Sequence, residues 1–184
     1  SGRSPDAGRP IPVTMGWAWL FLLLATYPWL LGADLASDTL ASSSLIFFLS
    51  GTCLVAPCRR LKRWQAVLFA ACLGFLFEAR RPIPDGALAL SLVAIAIFLS
   101  SNRQVIRNTP GMLRAAAIVN VGGCLIWFLA SSYGSPIPAT DLTGQLILQL
   151  LLAGIVGTIG LLPIALTQNA VLDRLNVPPA PDNP

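Results

Sequence analysis

The chain has 184 residues, of which 55% are hydrophobic and 11% charged, with a formal net charge of +4. A soluble domain carries a charged share of about 25%, so this composition excludes an ordinary water-soluble globule and implies a single domain embedded in lipid. Histidine is absent, which removes imidazole acid–base catalysis, Ser-His and Cys-His nucleophiles and imidazole-bound zinc.

Ser1–Thr14 is polar and rich in Gly, Pro and Arg. It reads as a disordered or appended tail, with Met15 a candidate start, and is set aside from the fold. Charged residues then divide the chain into six uncharged stretches: Pro10–Ala33, Thr39–Cys58, Trp64–Phe77, Gly86–Asn102, Ala115–Thr140 and Leu142–Leu172. A helix crossing a bilayer needs about 20 apolar residues. Four stretches meet this, with apolar cores at Met15–Leu31, Leu40–Ala56, Ala115–Ser132 and Leu142–Leu166. Trp64–Phe77 and Gly86–Asn102 are shorter, at 14 and 17 residues. The first of these would cover only about 21 Å of a hydrocarbon core about 30 Å thick. Either flanking Arg and Lys side chains snorkel, or the Glu78–Asp85 connection dips below the membrane surface; a re-entrant hairpin is a third arrangement. Residues 15–176 therefore read as an all-α, polytopic bundle of six transmembrane helices. Residues 177–184 read as a Pro-rich solvated tail.

The Lys and Arg distribution sets the orientation. With the N-terminus inside, ten basic residues lie inside (Arg3, Arg9, Arg59, Arg60, Lys62, Arg63, Arg103, Arg107, Arg114, Arg174) and two outside (Arg80, Arg81). Asp34, Asp38, Glu78, Asp85 and Asp141 fall in the outside loops. A five-helix arrangement would put the two basic loops on opposite sides, so the pattern implies six crossings with both termini cytoplasmic. Because the basic residues cap apolar segments, they suit lipid contact and give no sign of nucleic-acid binding.

Chemistry-bearing residues are few. The cysteines (Cys53, Cys58, Cys72, Cys124) form no CxxC pair and read as small buried thiols. The most unusual segment is Phe77–Gly86, which gathers Glu78, Arg80, Arg81 and Asp85 around Pro82 and Pro84. It is either a solvated connector or a recessed loop in which Glu78 needs a cation, Arg81 being the nearest good partner. Gly86 permits a tight turn into the next helix. A lone glutamate without histidine does not fit a CAAX-type protease, a rhomboid needs histidine, and Asp85–Gly86 is not a GxGD motif, so the chain reads as a non-enzyme with no metal or cofactor. Asn120 and the pair Gln145 and Gln149, four residues apart, suit interhelical hydrogen bonds. Gly154, Gly157 and Gly160 share a stripe for close helix packing, inside the bundle or against another protein's helix.

The chain from Ala25 onward resembles the MreD family of rod-shape-determining membrane proteins. Four features carry the resemblance: Pro28–Trp29 at the end of the first helix, Ala56–Pro57–Cys58–Arg59–Arg60 at the end of the second, Gly74–Leu90, and Phe98–Asn108 ending in Arg-Asn. In Gly74–Leu90, Gly74 and Glu78 match the family's Gly-x-x-x-acid, and Gly86 and Leu90 its Gly-x-x-x-Leu; Glu78 stands where the family usually has aspartate. The resemblance implies a non-enzymatic subunit of the bacterial inner membrane that binds an MreC-like protein in the cell-wall elongation complex. It would work alongside the actin-like MreB, a SEDS glycosyltransferase and a penicillin-binding transpeptidase, supporting peptidoglycan synthesis and cell shape. The family is also similar in fold to the S-components of energy-coupling-factor transporters, which supplies the alternative of a vitamin-type small-molecule binder.

Overall fold

The computed structural model describes residues 16–39, 46–79, 86–132 and 139–178, with backbone only for 131–132 and 139–142. The described residues form an all-helical bundle without a strand: α1 (Ala18–Thr39), α2 (Ser50–Arg60), α3 (Arg63–Glu78), α4 (Ala87–Ser101), a 3₁₀ turn (Arg103–Ile106), α5 (Thr109–Ser132) and α6 (Ala139–Arg174). Of these, α1, α5 and α6 are long and apolar enough to cross a membrane. Helix α4 is apolar but has only 15 residues.

The bundle is layered by its closest pairs, α3 on α4 and α5 on α6, with α2 wedged against α5 and α6. Fully buried Phe48, Leu54, Phe69, Leu73, Leu92 and Ile164 occupy its core. Large apolar residues on the outer face of α6, such as Leu151, Ile155, Ile159 and Leu166, remain exposed, as on a helix whose solvent is lipid.

Two of the expected helix boundaries are corrected. The first helix does not end near Leu31 but runs to Thr39, so Asp34 and Asp38 stand on its last turns and not in a free loop. Local bonds sustain the extension: Ser37 Oγ donates to Ala33 O at 2.7 Å and Thr39 Oγ1 to Ala36 O at 2.7 Å. The second helix does not start at Leu40. Residues 40–45, which include Ser42–Ser44, lie outside the described residues; Ile46–Leu49 is non-helical, and α2 has 11 residues. At 1.5 Å per residue α2 is about 16 Å long, half of a hydrocarbon core.

The start of α1, the end of α6 and the basic connections gather at one end of the bundle. Arg60 there pairs with Asp173 at 2.6 Å and donates to Val177 O, tying the end of α2 to the end of α6. Arg103, after α4, donates to Leu61 O at 2.8 Å. Gln65, in the first turn of α3, accepts the Lys62 N–H at 3.2 Å and donates to Gly16 O, just before α1. The end of α3, the start of α4 and the end of α1 lie at the opposite end, where the rings of Phe48 and Phe77 meet at a tilt of 34° with centroids 5.5 Å apart.

Candidate functional site

Glu78 closes α3 and is 5% exposed. An ionised carboxylate at that depth needs donors. Its Oε2 accepts the Gly86 N–H at 2.8 Å, and its Oε1 accepts the N–H groups of Leu88 at 2.5 Å and Ala89 at 3.0 Å. These are the amides that the first turn of α4 cannot satisfy by itself, and the positive end of that helix favours the negative charge. Glu78 thus caps a helix eight residues downstream and locks the α3–α4 hairpin. The cation expected from Arg81 lies outside the described residues, as do Arg80 and Asp85. Three backbone amides already meet the charge.

The two glycines of this motif have separate steric reasons. Gly86 has φ +92°, in the left-handed region that L side chains rarely adopt. At Gly74 a methyl group would run into the backbone of Ala89, so α3 and α4 touch backbone to backbone. Leu90, the fourth matched position, is 76% exposed and takes no part in the lock.

A second constellation surrounds the unwound segment Ile46–Leu49. Non-helical backbone at membrane depth persists only where protein satisfies it, and side chains do so here. Gln149 on α6 grips one residue twice: its Oε1 accepts the Ile46 N–H at 3.1 Å and its Nε2 donates to Ile46 O at 2.6 Å. Ser37 Oγ accepts the Phe47 N–H at 2.9 Å. Asn120 on α5 accepts the Gly51 N–H at 3.2 Å and donates to Phe48 O and, at 2.7 Å, to Ala153 O on α6. One fully buried amide therefore joins three elements.

One turn deeper, Pro57 has no N–H to offer the carbonyl of Cys53 four residues before it. Gln168 on α6 supplies the missing bond, with Nε2 2.9 Å from Cys53 O and 2.9 Å from Thr26 Oγ1 on α1. Asn120 and Gln149 are legible in the sequence as polar residues inside apolar helices. Gln168, Thr26 and Ser37 escape that reading; the available signal for Gln168 is the polar group Thr167–Gln168–Asn169 inside the uncharged stretch Leu142–Leu172. The buried hydroxyls of Ser50 and Thr52 and the Oε1 of Gln168 have no hydrogen-bond partner among the described residues. Gln145 is half-buried on the same helix as Gln149.

The glycine stripe of α6 faces inward. A methyl at Gly157 would sit 3.0 Å from Asn120 Cβ and 3.3 Å from Ala116 O, and one at Gly160 would sit 3.2 Å from Leu49 Cδ2. Gly154 is looser, with Val121 Cγ2 at 3.6 Å. The stripe lets α6 approach α5 and the start of α2, so it is packing inside the bundle. Cys53, Cys58 and Cys124 are buried and Cys72 half-buried. Among the described residues no three of His, Cys, Asp and Glu come together as a metal site would require. No protein-family model matches the chain, and no curated protein or solved structure emerges as similar to it.

Proposed function

We propose that the chain is a non-enzymatic, MreD-like subunit of a bacterial cell-wall elongation complex, crossing the inner membrane six times with both termini cytoplasmic. In this reading it binds an MreC-like membrane protein and, through it, works beside MreB, a SEDS glycosyltransferase and a penicillin-binding transpeptidase. The observation that carries the proposal is the α3–α4 hairpin. Gly74, Glu78 and Gly86, three of the four motif positions behind the resemblance, form one substructure: a backbone contact, a carboxylate lock and a left-handed turn. Residues that jointly hold a rigid hairpin suit a docking element better than a reaction centre. The lock itself would be structural, and its value to a partner is that it fixes the end of α3 against the first turn of α4.

A second reading has an observation of its own. An S-component-like binder of a small molecule would use the half-length α2, with its unwound start and the buried Ser50 and Thr52 hydroxyls, since interrupted helices of this kind build substrate sites in transporters.

Gentle solubilisation of native membranes, affinity capture of this chain and mass spectrometry separate the two. Stoichiometric recovery of an MreC-like protein supports the elongation-complex reading. Recovery of two ATPases with a coupling membrane subunit, and no MreC-like protein, overturns it in favour of the transporter.

A further inference from the structure

A groove of about 450 Å³ runs between α4 and α5, lined by apolar residues that include Phe98, Val105, Ala115, Ile118, Gly122 and Ile126. Phe98, Val105 and Ile118 are exposed, so the groove opens sideways on the outer surface of the bundle. Its length follows from α5. From Ala115 to Ile126 at 1.5 Å per residue it reaches about 16 Å, half of a hydrocarbon core about 30 Å thick. That span corresponds to one leaflet. Gly122 opens its middle: a methyl added there would meet no atom within 4 Å.

The mouth of the groove is basic. Val105 lies two residues before Arg107 and Ala115 one residue after Arg114, and both arginines are exposed. Both belong to the end of the bundle where Arg60 and Arg103 also stand. An apolar trough one leaflet deep, with two exposed arginines close in the chain to its lining residues at one end, complements one kind of occupant. We propose that this groove is a binding site for an anionic phospholipid, with one acyl chain along Gly122 and the headgroup phosphate against Arg107 and Arg114. A partner's transmembrane helix would instead need an apolar face continuing through both leaflets. The inference rests on the chain being membrane-embedded but not on which complex it joins.

The test uses the full chain purified in a mild detergent, with native mass spectrometry after addition of phosphatidylglycerol or phosphatidylcholine of equal chain length. The expected result is retention of one phosphatidylglycerol with a preference over phosphatidylcholine on the order of tenfold, as two arginines near a lipid surface supply. Gly122→Leu places its Cβ in open space, extends into the trough and favours the helix, so it should fold and lose both lipids. Arg107→Gln with Arg114→Gln should keep the chain and bring the two lipids to parity. Equal retention of both lipids by the unaltered chain, or undiminished phosphatidylglycerol on folded Gly122→Leu, overturns the site. So does a photo-cross-linker at Ile118 that, in membranes, joins a protein and not a lipid. Release of the chain from membranes without detergent would overturn the embedding itself, a failure distinct from these.

Discussion

Asn120 engages Gly51, Phe48 and Ala153 from a fully buried position on α5. Asn120→Leu keeps the branching of the side chain but leaves those backbone groups without partners. Buried groups left unpaired cost about 1–3 kcal/mol in water-soluble proteins, and interhelical bonds in membranes average about 0.6 kcal/mol; about 2 kcal/mol of lost stability is expected. Reversible unfolding in mixed micelles measures it, and a loss no larger than that of an exposed control such as Leu151→Ala would contradict the role. Gln149→Leu, which frees only Ile46, should cost less. At Glu78 the order of substitutions carries the information. Glu78→Gln keeps an oxygen for Leu88 and Ala89 but turns its NH₂ toward the Gly86 N–H, whereas Glu78→Ala abandons all three amides. Thermal stability in detergent should fall further for alanine than for glutamine. Arg81→Ala should matter less than either, because the carboxylate already has its donors; an Arg81→Ala loss equal to that of Glu78→Ala would show that the cation is needed after all.

Among the elements, glycines rank by what a methyl would touch. Gly51→Ala and Gly74→Ala push into the backbones of α5 and α4, Gly157→Ala meets Asn120 at 3.0 Å, Gly160→Ala meets a flexible leucine end at 3.2 Å, and Gly154→Ala has room at 3.6 Å. Overpacking costs about 1–3 kcal/mol, while alanine gains up to about 1 kcal/mol over glycine in a helix. Expression yield and detergent stability should therefore fall for positions 51 and 74, fall less for 157, and hold or rise for 154. Uniform effects along α6 would mean that the stripe is not read by its neighbours. Helices α3 and α4 were visible in the sequence almost to the residue, because charges and Gly86 bracket them. The first two boundaries were not, because the uncharged residues from Leu40 to Leu49 look as helical as their neighbours. Only bonds to Gln149, Asn120 and Ser37, two of these more than 70 residues away, make the unwound start of α2 affordable.

For the whole molecule, the basic residues of the α2–α3 and α4–α5 connections and of the end of α6 meet at one end, although they are far apart in the chain. Cysteines placed near Lys62 and Arg107 should react with an impermeant thiol reagent only after permeabilisation, and cysteines near Asp38 and Gly134 in intact cells. Labelling near Lys62 from outside would falsify the orientation proposed here. The strap that closes this end is asymmetric. Asp173 is largely exposed and its ion pair is worth about 0–1 kcal/mol, so Asp173→Ala should be nearly silent. Arg60 is mostly buried and also holds Val177 O, so Arg60→Ala should loosen the end of α6. Limited proteolysis after Arg174 reports on this, and equal cleavage of the two variants would assign the strap to the ion pair alone.

The sequence by itself determined the all-helical, strongly apolar class, the bounds of α3 and α4, the apolar cores of α5 and α6, and the segregation of charge, because hydropathy and charge act residue by residue through the solvent each residue prefers. It also marked Glu78, Gly86, Asn120 and Gln149 as unusual, since polar groups and glycine stand out against an apolar background. What those residues do was decided only by the tertiary structure. From the sequence Glu78 is either solvated or recessed beside a cation, and three amides of the next helix hold it; the glycine stripe could face inward or outward, and its neighbours on α5 and α2 turn it inward. Gln168 answers a carbonyl freed by Pro57 on another helix. Hydrogen bonds are short and directional, so the partner of a buried polar group depends on which backbone comes within about 3 Å of it, and that distance is set by the packing of the whole bundle.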